Sequence, residues 1–356
     1  MISVLKSSLP GKRHVWLSGL IITYGVFLAL ITVLNRSGAD RWWIGAFNLY
    51  LPQAIWLAPL LPLTFLSLRF ARRWVWALGI CGAWVCGPIM GFCWRLPEQP
   101  KPVAVGTTLR LMTCNIKSGR RDIEALISDI VRYKPDLVFL QDAGNVMSGP
   151  LGDRFRDWHV CSDGQYVIAS RWPLAKADVR LISHPGEGGY VLRTVLQFGP
   201  TPISLYNVHL LTPREGLNAM RYARKQPGRF TEAVQDFQDN VERRLLQAGR
   251  VSDFIRQERG ATILAGDLNS PDESLACKSL RDANLHDAFA EGGRGYGYTY
   301  GYFLLHGRIS WWPGASWMRI DHIMLSPQVR SIGCWTGTDR ASDHRPVYAD
   351  LAVSAP

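Results

Sequence analysis

The chain has 356 residues, of which 47% are hydrophobic and 19% charged; that balance excludes a disordered, collagenous or disulfide-stapled protein, and the length accommodates two domains. The formal net charge of +11 is segregated: residues 1–101 hold ten Lys/Arg against two acids, a net of +8, and the rest hold 30 against 27, a net of +3. A basic excess concentrated in the first hundred residues is not the footprint of a nucleic-acid-binding domain.

Three uncharged apolar runs explain the segregation. Residues 15–34 give 20 between Lys12-Arg13-His14 and Arg36, residues 42–68 give 27 between Arg41 and Arg69, and residues 74–94 give 21 between Arg72-Arg73 and Arg95. About 20 apolar residues in a helix span a bilayer core. Trp16, Trp42, Trp43, Trp74, Trp76 and Trp94 lie near the run ends, where an amphipathic ring favours the membrane interface. The expectation is an anchor of three transmembrane helices within residues 1–96, meeting the lipid bilayer through residues 15–94. Pro52, Pro59 and Pro62 should kink or partly unwind the second. The first run is longer than the roughly 7–15-residue apolar core of a signal peptide, and no small-x-small cleavage site follows it in Asn35-Arg36-Ser37-Gly38. An inside N-terminus puts Lys6, Lys12, Arg13, Arg69, Arg72 and Arg73 in the cytoplasm and Arg36, Arg41, Arg95 and Lys101 outside. Six against four predicts a multi-pass membrane protein whose remaining domain is extracytoplasmic. The seven cysteines show no metal-like spacing.

Pro97, Pro100 and Pro102 make residues 97–107 a stiff linker to a domain at 108–356. In that domain 109–114 reads as a buried strand. Ile123, Leu126, Ile127, Ile130 and Val131 then share one helix face. Pro135 stops the helix, and strands follow at 136–140, 166–170, 179–183, 190–198 and 203–209. Val234, Phe237, Val241, Leu245, Phe254 and Ile255 mark a long helix, succeeded by strands at 262–265, 320–325 and 346–351. Strands outnumber helices, which predicts two sheets flanked by helices, an α+β arrangement.

Most of these strands deliver polar residues at or near one end: Asn115, Gln141-Asp142, His209, Asp267 with Asn269, Asp321-His322, and Asp343-His344 just before the last. Carboxylates, amides and imidazoles converging from several strands suit a hard divalent cation, which takes oxygen ligands, together with a phosphate ester. The imidazoles supply proton transfer and charge stabilisation.

In order and spacing these segments resemble the endonuclease/exonuclease/phosphatase superfamily. The matching stretches are Leu-Met-Thr-Cys-Asn (111–115), Leu-Val-Phe-Leu-Gln-Asp (137–142), Tyr-Asn-Val-His (206–209), Leu-Ala-Gly-Asp-Leu-Asn (264–269), Arg-Ile-Asp-His-Ile (319–323) and Ser-Asp-His-Arg-Pro-Val (342–347). The resemblance covers roughly residues 108–353 and implies a four-layer αββα sandwich with Mg²⁺- or Mn²⁺-dependent cleavage of phosphoesters. It implies Asn115, Asp142 and Asp343 at the metal, with the number of ions open. Asp267 and Asn269 would orient or deprotonate the attacking water and bind phosphate. His209 would lie near the scissile phosphate, and Asp321 would hold His344 against the transition state. The chain departs from the family pattern at one position, having Asp142 where Glu is usual. An acid one methylene shorter weakens an octahedral site unless the backbone or a water closes the gap. The alternative is therefore a membrane-tethered binding protein with a decayed site.

Both lipid headgroups and nucleic acid remain substrates to consider. Lys117, Arg120, Arg121, Arg221, Arg224, Lys225 and Arg229 could follow a nucleic-acid backbone, whereas Trp311-Trp312-Pro313-Gly314 could wedge into a lipid interface.

Overall fold

The computed structural model describes residues 15–94, 108–223, 226–301, 316–338 and 340–354. The expected linker at 97–107, the Trp311-Trp312 loop, Arg224 and Lys225 lie outside them. In chain order the elements are α1 (Val15–Arg36), α2 (Trp43–Tyr50), α3 (Leu60–Phe70), α4 (Val75–Trp84), β1 (Thr108–Asn115), α5 (Ile123–Tyr133), β2 (Leu137–Gln141), α6 (Pro150–Arg154), β3 (His159–Asp163), β4 (Tyr166–Ser170), β5 (Asp178–Leu181), β6 (Tyr190–Phe198), β7 (Thr201–His209), α7 (Arg214–Ala223), α8 (Phe230–Gln257), β8 (Ala261–Asp267), α9 (Leu275–Asp282), β9 (His286–Asp287), α10 (Ala288–Gly292), β10 (Asp321–Leu325), β11 (Val329–Thr336) and β12 (Val347–Val353). Packing divides them into two units, Met1–Ser37 with Leu51–Phe92, and Gly38–Tyr50 with Cys93–Pro356. The expected division at residue 96 thus misses one segment: residues 38–50 pack with the larger unit.

In the smaller unit α1 turns Leu17, Ile21, Tyr24, Leu28 and Ile31 inward on one stripe, where they meet Leu63, Leu78, Val85 and Ile89. The Tyr24 hydroxyl donates to the Trp56 carbonyl at 2.6 Å, and Trp84 Nε1 to Thr32 Oγ1 at 2.9 Å. The outward faces are apolar too, with Leu20, Val26, Leu30, Leu61, Phe65, Trp76 and Ile80 exposed. A helix apolar on every side needs an apolar surrounding. Among the described residues two helical stretches, Val15–Arg36 and Gln53–Phe70, are long and apolar enough to cross a membrane. The third expected span is not one such helix: α4 is ten residues long and passes into a π-helical turn, Val85–Ile89, containing Pro88, which has no N–H to continue the ladder.

Two mixed six-stranded sheets build the larger unit, in the orders β11-β12-β1-β2-β4-β3 and β5-β6-β7-β8-β10-β9. The β1–β2 and β7–β8 pairs are parallel, and the other neighbours antiparallel. Parallel neighbours need a crossover, supplied by α5 for one pair and by α7 and α8 for the other. Strand alternation then sorts the side chains. Leu111, Phe139 and Ile168 face Leu205, Ile263 and Ile323 between the sheets. Met112, Val138 and Leu140 turn outward onto Leu126 and Ile130 of α5; Tyr206, Leu264 and Met324 turn outward onto Val251 of α8 and Leu280 of α9. The result is four layers, αββα. Asp122 caps α5 by accepting from the Ala125 amide at 2.9 Å.

One half-buried ion pair ties the outer layer to its sheet. Glu258, just past α8, accepts from Arg193 Nε (2.7 Å) and Nη2 (3.1 Å), from Ser204 Oγ (2.8 Å) and from Tyr206 Oη (2.5 Å). Burial opposes its charge, but Arg193 and the two hydroxyls outweigh that and lower its pKa to about 2. The folded value lies below the unfolded one, so the contribution is complete above about pH 4.5 and is lost as pH falls toward 2. Glu258→Gln should cost about 3 kcal/mol at neutral pH, and the difference from wild type should vanish at the acid end. Urea unfolding followed across pH checks this; a difference independent of pH would contradict it.

Candidate active site

Strand register brings the predicted residues to one rim of the sandwich. Asn115 pairs with Gln141 across β1 and β2, His209 with Asp267 across β7 and β8, and Asp321 with the same Asp267 across β8 and β10. Asn115, His209 and Asp267 are the last residues of β1, β7 and β8, and Asp321 is the first of the antiparallel β10, so all four fall at the same rim.

Asp267 is the hub. It is buried, and its Oδ2 accepts from Asn115 Nδ2 at 3.0 Å. The same oxygen lies 3.6 Å from His209 Nε2 and 3.8 Å from His344 Nε2. Its other oxygen accepts the Asn269 amide at 2.8 Å. Burial, and then the neighbouring Asp321 carboxylate, push the Asp267 pKa up. On His344, Nδ1 faces both Asp321 oxygens at 2.9 and 3.1 Å. Burial disfavours the His344 imidazolium, but Asp321, Asp267 and Asp343 outweigh it and raise the pKa to about 9. Nδ1 therefore carries a proton donated to Asp321, and Nε2 points toward Asp267. His209 is held by Gln165, whose Oε1 accepts from Nδ1 at 2.7 Å, and by the Tyr166 hydroxyl on its backbone amide at 3.2 Å.

The expected metal residues lie on adjoining elements. Asn115 ends β1, and its Oδ1 accepts the Lys117 amide at 3.1 Å. Asp343 Oδ2 meets Lys117 Nζ at 2.5 Å. Burial opposes the Asp343 charge, but this ammonium holds the carboxyl below its ordinary value. Asp142 follows β2 with a left-handed backbone (φ 48°), and its Oδ1 accepts from Ser118 Oγ at 3.1 Å. An amide oxygen and two carboxylates are hard donors of the kind a divalent cation takes, so the residues fit such an ion. Among the described residues, close donor triads occur at Asp267, Asp321 and His344 and at Asp272, Asp287 and His322. In the second, Arg319 bonds both Asp272 and Asp287. His322 adds Nδ1 to Asp287 at 3.1 Å. A guanidinium shared by both acids makes this an ion-pair brace beneath the rim.

Asn269 lies two residues beyond Asp267, on the turn that follows β8. Its Nδ2 donates to the Leu210 carbonyl at 2.9 Å and its amide to Asp267, so it shapes the turn that carries Asp267. Sequence reasoning passed over three neighbours. Gln165 orients His209. The Tyr300 ring lies 4.7 Å from the His344 ring. Arg214, at the start of α7, hydrogen-bonds Tyr300 and counteracts the burial that raises its pKa to about 12. The Gly-Tyr-Gly-Tyr-Thr-Tyr run at 295–300 was the one available signal, since aromatics amid glycines suit a site-lining loop.

The sequence model of the family described as "Endonuclease/Exonuclease/phosphatase family" matches residues 112–344. No curated protein matches the chain. Among solved structures, truncated TDP2 from Caenorhabditis elegans is 18% identical with a TM-score of 0.50, covering 70% of this chain and 99% of its own. An endonuclease/exonuclease/phosphatase family protein from Bacteroides thetaiotaomicron is 14% identical with a TM-score of 0.51, covering 70% and 99%. A third, from Leptotrichia buccalis, is 13% identical with a TM-score of 0.51, covering 68% and 99%. At these identities the structural likeness speaks to fold.

Proposed function

Because the chain belongs to the Endonuclease/Exonuclease/phosphatase family, we propose that it is a membrane-attached, divalent-cation-dependent hydrolase that cleaves a phosphoester by attack of water on phosphorus. The observation that carries this reading is the buried Asp267 carboxylate facing the His344–Asp321 pair across 3.8 Å. Asp267, raised by burial, accepts the proton of the attacking water. His344, fixed through Nδ1 by Asp321, presents Nε2–H to the charge that builds on the phosphoryl oxygens. His209, oriented by Gln165, and Asn115 Nδ2 converge on the same oxygen of Asp267 and hold it against rotation. Asn115, Asp142 and Asp343 would bind the cation, Mg²⁺ or Mn²⁺, which when bound neutralises phosphate charge.

Membrane attachment is part of the same proposal. Residues 38–50 and those from 93 onward belong to one packed unit, which supports reading both on one side of the bilayer. The chain between them must then cross an even number of times. An 18-residue apolar stretch, Gln53–Phe70, leaving that side requires a return, for which α4 and its π-turn are the remaining chain. With α1 this makes three crossings, and the Lys/Arg bias of six against four puts the catalytic unit outside the cytoplasm.

The experiment assays carbonate-washed membranes carrying the full chain. Substrates are plasmid DNA, sphingomyelin, phosphoinositides and p-nitrophenyl phosphoesters, with Mg²⁺, with Mn²⁺ and with EDTA. Cleavage of at least one class, restored by cation and retained in the washed pellet, is the expected result. Intact cells should also cleave an added impermeant substrate. Activity in the wash would overturn the anchor, activity confined to lysed cells the orientation, and inactivity toward every class the hydrolase itself.

A further inference from the structure

Residues 38–50, between the helical stretches Val15–Arg36 and Gln53–Phe70, reach the catalytic turn. We propose that Tyr50 is a positioning residue for the phosphoester site: its hydroxyl, on the Asn269 carbonyl, holds the 267–270 turn in the conformation that presents Asp267. The inference rests on the phosphoesterase reading for its kinetic consequence only.

Asn269 has a left-handed backbone (φ 49°), a region Asn visits more readily than other non-glycine residues but keeps as one fixed turn only where its surroundings hold it. Three hydrogen bonds do so. The Asn269 amide donates to Asp267 Oδ1 at 2.8 Å, its Nδ2 donates to the Leu210 carbonyl at 2.9 Å, and its carbonyl accepts from Tyr50 Oη at 2.9 Å. The first fixes the rotation of the Asp267 carboxylate and leaves Oδ2 toward Asn115, His209 and His344. A change in the peptide plane after Asn269 is therefore transmitted to the water-activating carboxylate. Two of the three restraints come from within the sandwich. The third comes from residue 50, outside the 112–344 stretch that matches the family.

The far end of the same loop is held by the same segment. Both Asp40 oxygens accept the Leu275 amide, at 2.9 and 3.1 Å, at the first residue of α9. Ser274 Oγ accepts from the Cys277 amide, so two orphan donors of that helix end are satisfied. Gly38 is the residue that permits this approach: its φ is +89°, and a side chain there would collide with Leu275. The segment is seated firmly. Ala46 and Tyr50 are buried with Phe237, Val241 and Ile320, Phe47 meets Phe237 edge to face, and the Arg244 guanidinium lies 5.7 Å from the Tyr50 ring centroid. Trp317 Nε1 donates to the Tyr50 carbonyl at 3.3 Å.

Tyr50→Phe removes one hydroxyl and keeps the ring. In the full chain in detergent micelles it should lower kcat about 10-fold with KM within about twofold, the worth of a buried hydroxyl that bonds the Asn269 carbonyl and the Ser270 side chain. Amide hydrogen exchange across 268–276 should quicken by about the same factor while β1 and β6 keep their protection. Trp43→Ala trims packing against Phe230 at the other end of α2. It should lower the unfolding temperature without that kcat effect. Unchanged exchange at 268–276 in Tyr50→Phe overturns the proposal, as does a kcat loss that merely tracks unfolding temperature across both variants. If wild type cleaves no phosphoester, the functional reading fails separately, and the exchange measurement still decides whether Tyr50 holds the turn.

Discussion

His344→Gln should reduce turnover by about 10²–10³-fold, the range for loss of a donor that stabilises transition-state charge, while KM changes little. Gln keeps a donor for Asp321 but has no ring nitrogen directed at Asp267. The ring is held at two points, by Asp321 at Nδ1 and by Tyr300 on its face, so its placement is preorganised before substrate arrives. Asp321→Asn should lower kcat by about 10²–10³-fold, in line with loss of a group that stabilises transition-state charge. The amide leaves His344 in place but withdraws the charge that favours its imidazolium. Asp267→Asn should be as severe as His344→Gln, because the amide cannot take a proton from water. The double variant His344→Gln/Asp267→Asn should be scarcely worse than either single one, since residues acting as a unit are not additive. Initial-rate kinetics on the best substrate of the panel, with circular dichroism to confirm folding, decide the matter. A loss below about 10-fold in either single variant falls short of a direct part in proton transfer by Asp267 or charge stabilisation by His344 and would remove the His344–Asp267 pair from the mechanism.

Asp142→Ala should raise the cation concentration for half-maximal activity by at least about 10–100-fold, the loss produced even by removing a group that only supports a metal ligand. Asp142→Glu is the more informative change. Asp142 Oδ1 is engaged by Ser118 Oγ at 3.1 Å, and its left-handed backbone sets the direction in which the short side chain leaves the strand. One added methylene extends the carboxylate beyond Ser118. If Asp142 is simply a shorter ligand, the Glu variant should match or exceed wild type at low Mg²⁺ and converge with it at saturation. Titration of activity against Mg²⁺ and against Mn²⁺ measures both variants. Wild-type inactivity at every cation concentration, unrelieved by Asp142→Glu, would instead leave a tethered binding protein.

The strands that carry the site were legible because burial on both faces leaves a near-continuous apolar run, and the first polar residue after it falls at the rim. Val138, Phe139 and Leu140 before Gln141-Asp142, and Ile263, Leu264 and Ala265 before Asp267, are of this kind. Strand β3 was missed for the opposite reason: it is an edge strand with four of its five residues exposed, so no apolar pattern marks it. The pattern also misassigned residues 42–50. Trp43, Ile44, Ala46, Phe47 and Leu49 are apolar enough to extend a membrane run, yet Ala46 and Phe47 pack with Phe237 and Val241 of α8. Periodicity reports that a face is buried but not what covers it. The bonds of Asn269 to the Leu210 carbonyl and to Asp267 were equally invisible, since Gly-Asp-Leu-Asn does not say which backbone group the amide meets.

The bond between Tyr50 and Asn269 spans 219 positions of the chain, which sets an order of assembly during synthesis. Residues 38–50 leave the ribosome early, with their apolar surface bare and their binding partners not yet made. Phe237 and Val241 come nearly two hundred residues later, and Ile320 later still. For that interval the segment is flanked by the apolar helical stretches Val15–Arg36 and Gln53–Phe70. Contacts this distant in sequence form late and leave the unfinished chain open to mispairing. Insertion of the flanking runs would confine the segment near the membrane surface and shorten the search once α8 emerges. Nascent chains released before residue 320 should therefore hold the N-terminal helices and a collapsed sheet but lack the finished catalytic turn, making this rim the last part of the protein to mature.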